Sequence, residues 1–270
     1  MQRSHLIRLI IVSIILFILL FPLVFLGIWS IGSSWPWPYL IPQTLTLEVW
    51  LDFFSSGNKA WLALRESFII GSGVTILAVM ISIPAGRSLA FYQFPGKELI
   101  KLLVLAPIII PPLAVTMGIH INFMRYGLSG TIWGVMLVHL IPTIPYSIKI
   151  LTDTFRVNGQ KLERQAQVLG ANLGQRFFYV TFPLIKPGIL AAGIMVFIIS
   201  FSQYFLTFLM GEGRVITFPM VLFPLVEQGN RTLAAVYSWV FILAILIFTV
   251  ILELILKDRV KGESDFYIVD

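Results

Sequence analysis

The residues able to do bond-breaking chemistry are few and scattered. The chain has no cysteine and three histidines, His5, His120 and His139, which excludes disulfides and thiolate chemistry and argues against a multi-histidine metal centre. Acids lie close together only at Glu48 and Asp52 and in the tail around Asp258, Glu263 and Asp265, so a paired-carboxylate or metal–diphosphate site has no material. A phosphate-cradling loop needs Gly-x4-Gly-Lys. The one Gly-Lys is Gly96-Lys97, and Phe91 stands where the first glycine belongs. No serine sits in a nucleophile elbow. Two polar features remain. One is Ser200-Phe201-Ser202-Gln203-Tyr204 inside an apolar stretch; the other is a long basic loop, Leu151–Lys186. The first offers hydrogen bonds along a path, and the second offers a surface. Catalytic, metal-binding and cofactor-binding residues are therefore not expected.

The elements that position these residues follow from composition. Of 270 residues, 58% are apolar and only 12% charged, with a mean hydropathy of +0.92. Soluble domains run near 45–50% apolar and about 25% charged, so a soluble enzyme, a disordered tail or a nucleic-acid module is excluded. Six windows lack Asp, Glu, Lys and Arg: Leu9–Ile31, Ser67–Gly86, Leu102–Met124, Tyr126–Ile148, Pro187–Gly211 and Thr232–Leu252. About 20 apolar residues cross a hydrocarbon core of roughly 30 Å. Backbone groups in lipid must bond within their own segment. The windows thus predict an all-α membrane protein with six transmembrane helices. Val215–Val226 holds Pro219 and Pro224 and is too short to span; it reads as a re-entrant or interfacial piece. Arg3 and Arg8 precede the first window, whose apolar run is too long for a signal peptide, so it is expected to remain as an anchor.

Lys and Arg placement sets orientation. With both termini cytoplasmic, 14 of the 19 basic residues face the cytoplasm. The other five, Lys59, Arg65, Arg125, Arg214 and Arg231, face out. The basic balance is then an orientation signal rather than a nucleic-acid footprint. The expected organisation is an anchor and outer loop (1–60), a core (61–257) containing the cytoplasmic loop 152–186, and a cytoplasmic tail (258–270). The outer segment carries Trp35, Pro36, Trp37, Pro38, Tyr39 and Pro42, a composition suited to the headgroup zone.

Within the loop, Asn158-Gly159 marks a turn, and Gln160–Leu169 predicts a short amphipathic helix. Leu162, Ala166 and Leu169 recur at i, i+4 and i+7, with Lys161, Arg164 and Gln165 off that stripe. Gly170 is placed to end the helix in a left-handed conformation, and Pro183 and Pro187 break and restart the chain at the fifth window. From periodicity alone this is either a plain connection with a surface helix or a knob built to fit a groove.

The run Leu162-Glu163-Arg164-Gln165-Ala166-Gln167-Val168-Leu169-Gly170-Ala171, followed by Phe182-Pro183-Leu184-Ile185-Lys186-Pro187-Gly188-Ile189, resembles the EAA loop of binding-protein-dependent ABC importer permeases. Aligned on Gly170, the motif's Glu falls on Arg164 and its first Ala on Gln165; Ala166 and Gly170 match, Glu163 stands one place early, and Phe182 replaces a Leu. The resemblance runs from about Ser67 to Leu252 and implies a type I importer permease-like bundle in the cell (inner) membrane. It implies that Leu162, Glu163, Arg164, Ala166, Leu169, Gly170, Ala171 and Pro183 couple to a separate ATP-binding subunit. It further implies a second permease subunit, homologous or identical, and an extracytoplasmic solute-binding protein.

In the same family the stretch around Gln203 often lines the translocation path, which makes Ser200, Ser202, Gln203 and Tyr204 candidate pathway residues. Their other reading is as interhelical hydrogen-bond partners. Phe205–Met210 and Gly211-Glu212-Gly213 resemble the polyamine, iron and phosphonate branch more than the sugar branch. His120 and His139 read as residues bonding a neighbouring carbonyl. Gly71, Gly73, Ala78 and Ala85 can let helices approach closely. The rival reading is a stand-alone secondary carrier or channel, but such carriers usually bury acids in their spans, and the six windows have none.

Overall fold

The computed structural model describes residues 2–32, 44–55 and 59–256. The Trp35–Pro42 belt and the 258–270 tail lie outside the described residues. The helices, in chain order, are α1 (Gln2–Ser30), α2 (Glu48–Phe54), α3 (Lys59–Phe91), α4 (Lys97–Ile109), α5 (Pro112–Arg125), α6 (Ile132–Asn158), α7 (Lys161–Val168), α8 (Leu173–Arg176), α9 (Phe182–Phe201), α10 (Phe205–Gly211), α11 (Phe218–Glu227) and α12 (Arg231–Leu256). A single π turn, Phe177–Thr181, joins α8 to α9. No strand occurs among the described residues. Among the described residues, five helical runs are long and apolar enough to cross a membrane: Arg8–Ser30, Lys59–Phe91, Ile132–Asn158, Leu173–Phe201 and Arg231–Leu256.

Two windows expected as single helices are broken. The third is α4 followed by α5. Ile110 is extended at ψ 129°, as a residue preceding proline is biased to be. Pro112 then opens α5, where a missing N–H costs nothing. The fifth window stops at Phe201 and restarts at Phe205, leaving Ser202–Tyr204 outside helix. The short stretch after Val215 forms the ten-residue α11, with Pro219 in its first turn.

The chain divides into two units. The first comprises residues 1–70, 120–135 and 201–244. Its core gathers around Phe53, which is 1% exposed and meets Phe218 and Tyr237 edge-on at 6.3 and 5.3 Å. Ser67 Oγ accepts the Phe218 N–H (2.7 Å) and Glu66 Oε2 accepts that of Ile216 (3.1 Å), fixing the entry to α11. The side chains of Leu9–Phe21 in α1 are exposed throughout, as suits a helix whose solvent is lipid. Phe17, Phe21, Phe25 and Trp29 form an i,i+4 aromatic ladder along it.

The second unit comprises residues 71–119, 136–200 and 245–270. One core cluster joins Leu151, Phe155, Ile185, Ile189 and Ala192. Gly71 lies against the Phe197 ring, and Gly73 against Met136. Within this unit the closest glycine-to-backbone approach is at Gly86, absent from the small-residue set read from the sequence: a Cβ there would meet Thr152 N at 3.0 Å and Leu151 C at 3.2 Å. Backbone cannot step aside as a side chain can. Gly86→Val is therefore expected to cost about 1–3 kcal/mol through overpacking, read as a lower melting temperature of the detergent-solubilised chain, with Gly118→Val, where nothing lies within 4 Å, as the tolerant control.

From α3 to α12 the basic residues separate by unit, while Arg3 and Arg8, assigned to the cytoplasm, fall in the first. Lys59, Arg65, Arg125, Arg214 and Arg231 all belong to the first; the nine cytoplasm-assigned bases from Arg87 to Lys186 all belong to the second.

Candidate functional site

The loop after α6 is built from strong local signals. Gly159 takes φ +65° and turns the chain into α7. The helix ends in a Schellman motif: Gly170 N–H donates to Gln167 O and Ala171 N–H to Ala166 O, each at 3.0 Å, with Gly170 at φ +85°. Asn172 caps α8 in a capping box with Gln175, the two reciprocal bonds measuring 2.9 Å each. The π turn that follows ends two residues before Pro183, which has no N–H to donate back into the preceding turn.

The orientation of α7 is the informative feature. Its acid turns in and its large apolar residues turn out. Glu163 is 8% exposed, whereas Val168 and Leu169 are each 87% exposed and Leu162 is half exposed. Arg87 of α3 donates to Glu163 Oε2 at 2.7 Å, and Thr181 Oγ1 of the π turn donates to Oε1 at 2.7 Å. One carboxylate thereby ties α7 to two other elements. Burial alone would raise the Glu163 pKa. The Arg87 guanidinium and the Thr181 hydroxyl, with Arg176 nearby, outweigh it and hold the carboxyl below its ordinary value. Ala166 is half-buried under the helix, and Lys161, Arg164 and Gln165 are exposed, as are Leu173, Phe178 and Tyr179. Ala171 follows the turn half-buried, and Pro183 is exposed in the first turn of α9. Seven of the eight loop residues singled out in the sequence lie on α7 and the turn that ends it, and Pro183 stands at the start of α9. Sequence reasoning missed Arg87, Thr181 and the inward direction of Glu163.

The second set of residues divides. Ser200 is buried in the second unit, where its Oγ lies 2.9 Å from His139 Nδ1, itself fully buried. His139, expected to bond a carbonyl, thus meets a hydroxyl. Ser202, Gln203 and Tyr204 occupy the unwound segment of the first unit. Ser202 is exposed, Gln203 O accepts from Thr207 Oγ1 at 3.0 Å, and Tyr204 packs on Phe223 at 5.0 Å. Non-helical backbone at membrane depth persists only where protein or a water-filled cavity satisfies it.

His120, expected to bond a carbonyl, has side-chain partners instead. Ser129 Oγ donates to Glu212 Oε1 at 2.7 Å, and His120 Nε2 lies 3.1 Å from Ser129 Oγ and 3.2 Å from Glu212 Oε1. The Ser129 hydroxyl, then His120 and Arg214, hold the Glu212 carboxyl below its ordinary value. No group of three or more His, Asp or Glu suited to a metal occurs among the described residues.

Comparison with known proteins agrees with this architecture. The chain is 26% identical over 250 residues to the putative 2-aminoethylphosphonate transport system permease protein PhnV of Salmonella typhimurium, covering 92% of this chain and 93% of that one. It is 31% identical over 184 residues to the trehalose transport system permease protein SugB of Mycobacterium tuberculosis, covering 68% and 67%. Its fold matches a chain of a bacterial ABC transporter that imports the acidic polysaccharide alginate, with a TM-score of 0.73, 14% identity, and 93% and 96% of the two chains covered. The family model for binding-protein-dependent transport system inner membrane components matches residues 78–257. The chain therefore belongs to that family: it is a multi-pass permease component of an ABC importer.

Proposed function

We propose that this permease forms half of a solute pathway in the cytoplasmic (inner) membrane and is driven by a separate ATP-binding subunit that grips α7. The observation that carries this reading is a short helix fastened from behind through Glu163, with Leu162, Val168 and Leu169 presented outward. Apolar side chains on a rigid projection are what a groove on a partner can hold, and a clamped helix moves its neighbours when it moves. Closure of the ATP-binding subunits then draws the loops together, and the bundles alternate between inward and outward access.

A second permease, homologous or identical, supplies the other half, and an extracytoplasmic solute-binding protein delivers the solute, as the family's description as binding-protein-dependent implies. From α3 onward the separation of basic residues between the two units favours a cytoplasmic α7, and the bases at the two ends, Arg3, Arg8, Lys257, Arg259 and Lys261, favour cytoplasmic termini. Ser202, Gln203 and Tyr204 line the path, with their unwound backbone facing water, and Ser200 precedes them in the same stretch of chain. The solute is a small polar molecule of the phosphonate, polyamine, iron or sugar kind, the phosphonate and sugar readings being supported by the names of the two relatives.

The docking reading is tested by Leu169→Asp. A carboxylate in place of an 87%-exposed leucine leaves the permease in the membrane and is expected to abolish co-purification of the ATP-binding subunit; unchanged co-purification contradicts the reading. For the path, the natural absence of cysteine makes a single Gln203→Cys a unique label. Its modification by a membrane-impermeant maleimide is expected to change several-fold between nucleotide-free and ATP-bound complexes, and an invariant rate places Gln203 outside the path.

A further inference from the structure

The charge on the projecting loop is one-sided once its internal pairs are removed. Between Leu151 and Lys186 the acids are Asp153 and Glu163, against the bases Arg156, Lys161, Arg164, Arg176 and Lys186. Asp153 is taken by Lys149 and Arg156. Glu163 is turned inward to Arg87 and Thr181. No carboxylate of the loop is left facing a partner.

The bases of α7 stand differently. Lys161 and Arg164 are exposed, and Arg164 donates to a neutral group, Gln160 Oε1, at 2.8 Å. Arg176 likewise donates to the neutral Gln167 Oε1 at 2.6 Å, and its buried Nε has no partner. Arg164 and Arg176 open onto one cavity of ≈ 310 Å³, which Arg87, Glu163, Gln160, Gln167, Tyr92 and Leu173 complete. Three guanidiniums and one carboxylate therefore surround a space whose lining is polar except for Leu173. A guanidinium is a planar fork of donors matched to a carboxylate, and an uncompensated pair of them beside an exposed apolar ridge defines the complement: an apolar groove with acid at one side.

We propose that the groove of the ATP-binding subunit that receives α7 is acidic, and that one of its carboxylates seats between Arg164 and Arg176. This rests on the docking reading above and adds the partner's chemistry to it. The partner's groove must then differ in charge from one made to receive an acid at the position of Arg164, so this permease discriminates against ATP-binding subunits whose groove is basic there. Like charges brought together at such an interface suppress wrong pairings.

The test uses the full transporter complex in nanodiscs, with the cognate ATP-binding subunit titrated onto permease variants. Arg164→Glu is expected to weaken binding about tenfold or more, Arg164→Gln by less, and wild-type affinity should fall as NaCl is raised. A carboxylate-to-lysine change in the partner's groove is expected to restore binding to Arg164→Glu. If Arg164→Glu and Arg164→Gln bind like wild type without salt dependence while Leu169→Asp does not bind, docking stands and the acidic groove is wrong. If Leu169→Asp also binds like wild type, the docking reading fails and takes this proposal with it. Because Arg164 is exposed, equal membrane yield of the variants serves as the folding control.

Discussion

Gly170→Pro is expected to abolish solute-stimulated ATP hydrolysis and transport while leaving the permease inserted in the membrane. Gly170 sits at φ +85° and closes α7 through its N–H to Gln167 O. Proline fixes φ near −65° and has no N–H, so both the reversal and the bond are lost, and the Ala171-to-Ala166 bond depends on the same turn. No atom lies within 4 Å of where a Cβ would stand, so the defect is conformational rather than a clash. That distinction supplies a control. Gly170→Ala pays only the left-handed penalty of about 1–2 kcal/mol and should retain most of the coupling. Substrate-stimulated ATPase activity in proteoliposomes reads both variants. Wild-type stimulation in Gly170→Pro would show that the shape of this turn is not used.

Removing either partner of the Arg87–Glu163 clamp should uncouple the transporter without unfolding it. Glu163→Gln keeps the size of the side chain but removes the charge, so the bond from Arg87 weakens and the guanidinium is left facing a neutral group. Breaking a fully buried pair costs about 3–5 kcal/mol. Here the Arg87 side chain is 36% exposed and water screens it, so about 1–2 kcal/mol of local anchoring is expected to be lost. The reciprocal swap, Glu163→Arg with Arg87→Glu, should recover part of the stimulated ATPase activity that each single variant loses.

The clamp also carries a pH signature. Because the Glu163 carboxyl is held below its ordinary value of 4.5, its contribution is complete above that value and is lost as pH falls through the lowered folded-state pKa. Glu163→Gln should remove that acid-side loss. Hydrogen exchange of the α7 amides against pH measures it directly, and identical profiles for wild type and variant would contradict the clamp.

What could be read from residues alone followed the range of the interactions. Leu162, Ala166 and Leu169 with Gly170 specify α7 and its end within ten residues, and the structure places the helix at Lys161–Val168. The charge-free windows identify apolar stretches because lipid admits few other solutions, yet the lack of charge does not reveal a break inside a window. The break before α5 did leave a signal in Pro111-Pro112. The break at Ser202–Tyr204 left none beyond a run of polar residues.

Pairings across the fold left no trace. Glu163 lies 76 positions from Arg87 and His120 lies 92 from Glu212. Periodicity therefore gives Glu163 no direction, whereas tertiary pairing turns it in. The apolar side of α7 was legible, but its exposure was not, because amphipathic helices ordinarily bury that stripe.

The claim on which the account depends is that α7 is gripped by a nucleotide-hydrolysing partner. The direct measurement is site-specific cross-linking from a single cysteine at position 169, unique in a chain that otherwise has none. With a thiol-anchored photo-cross-linker in native membranes, the account predicts a major adduct with the ATP-binding subunit whose yield changes with bound nucleotide. Adducts with lipid or with other permease chains alone, under every nucleotide condition, would contradict it.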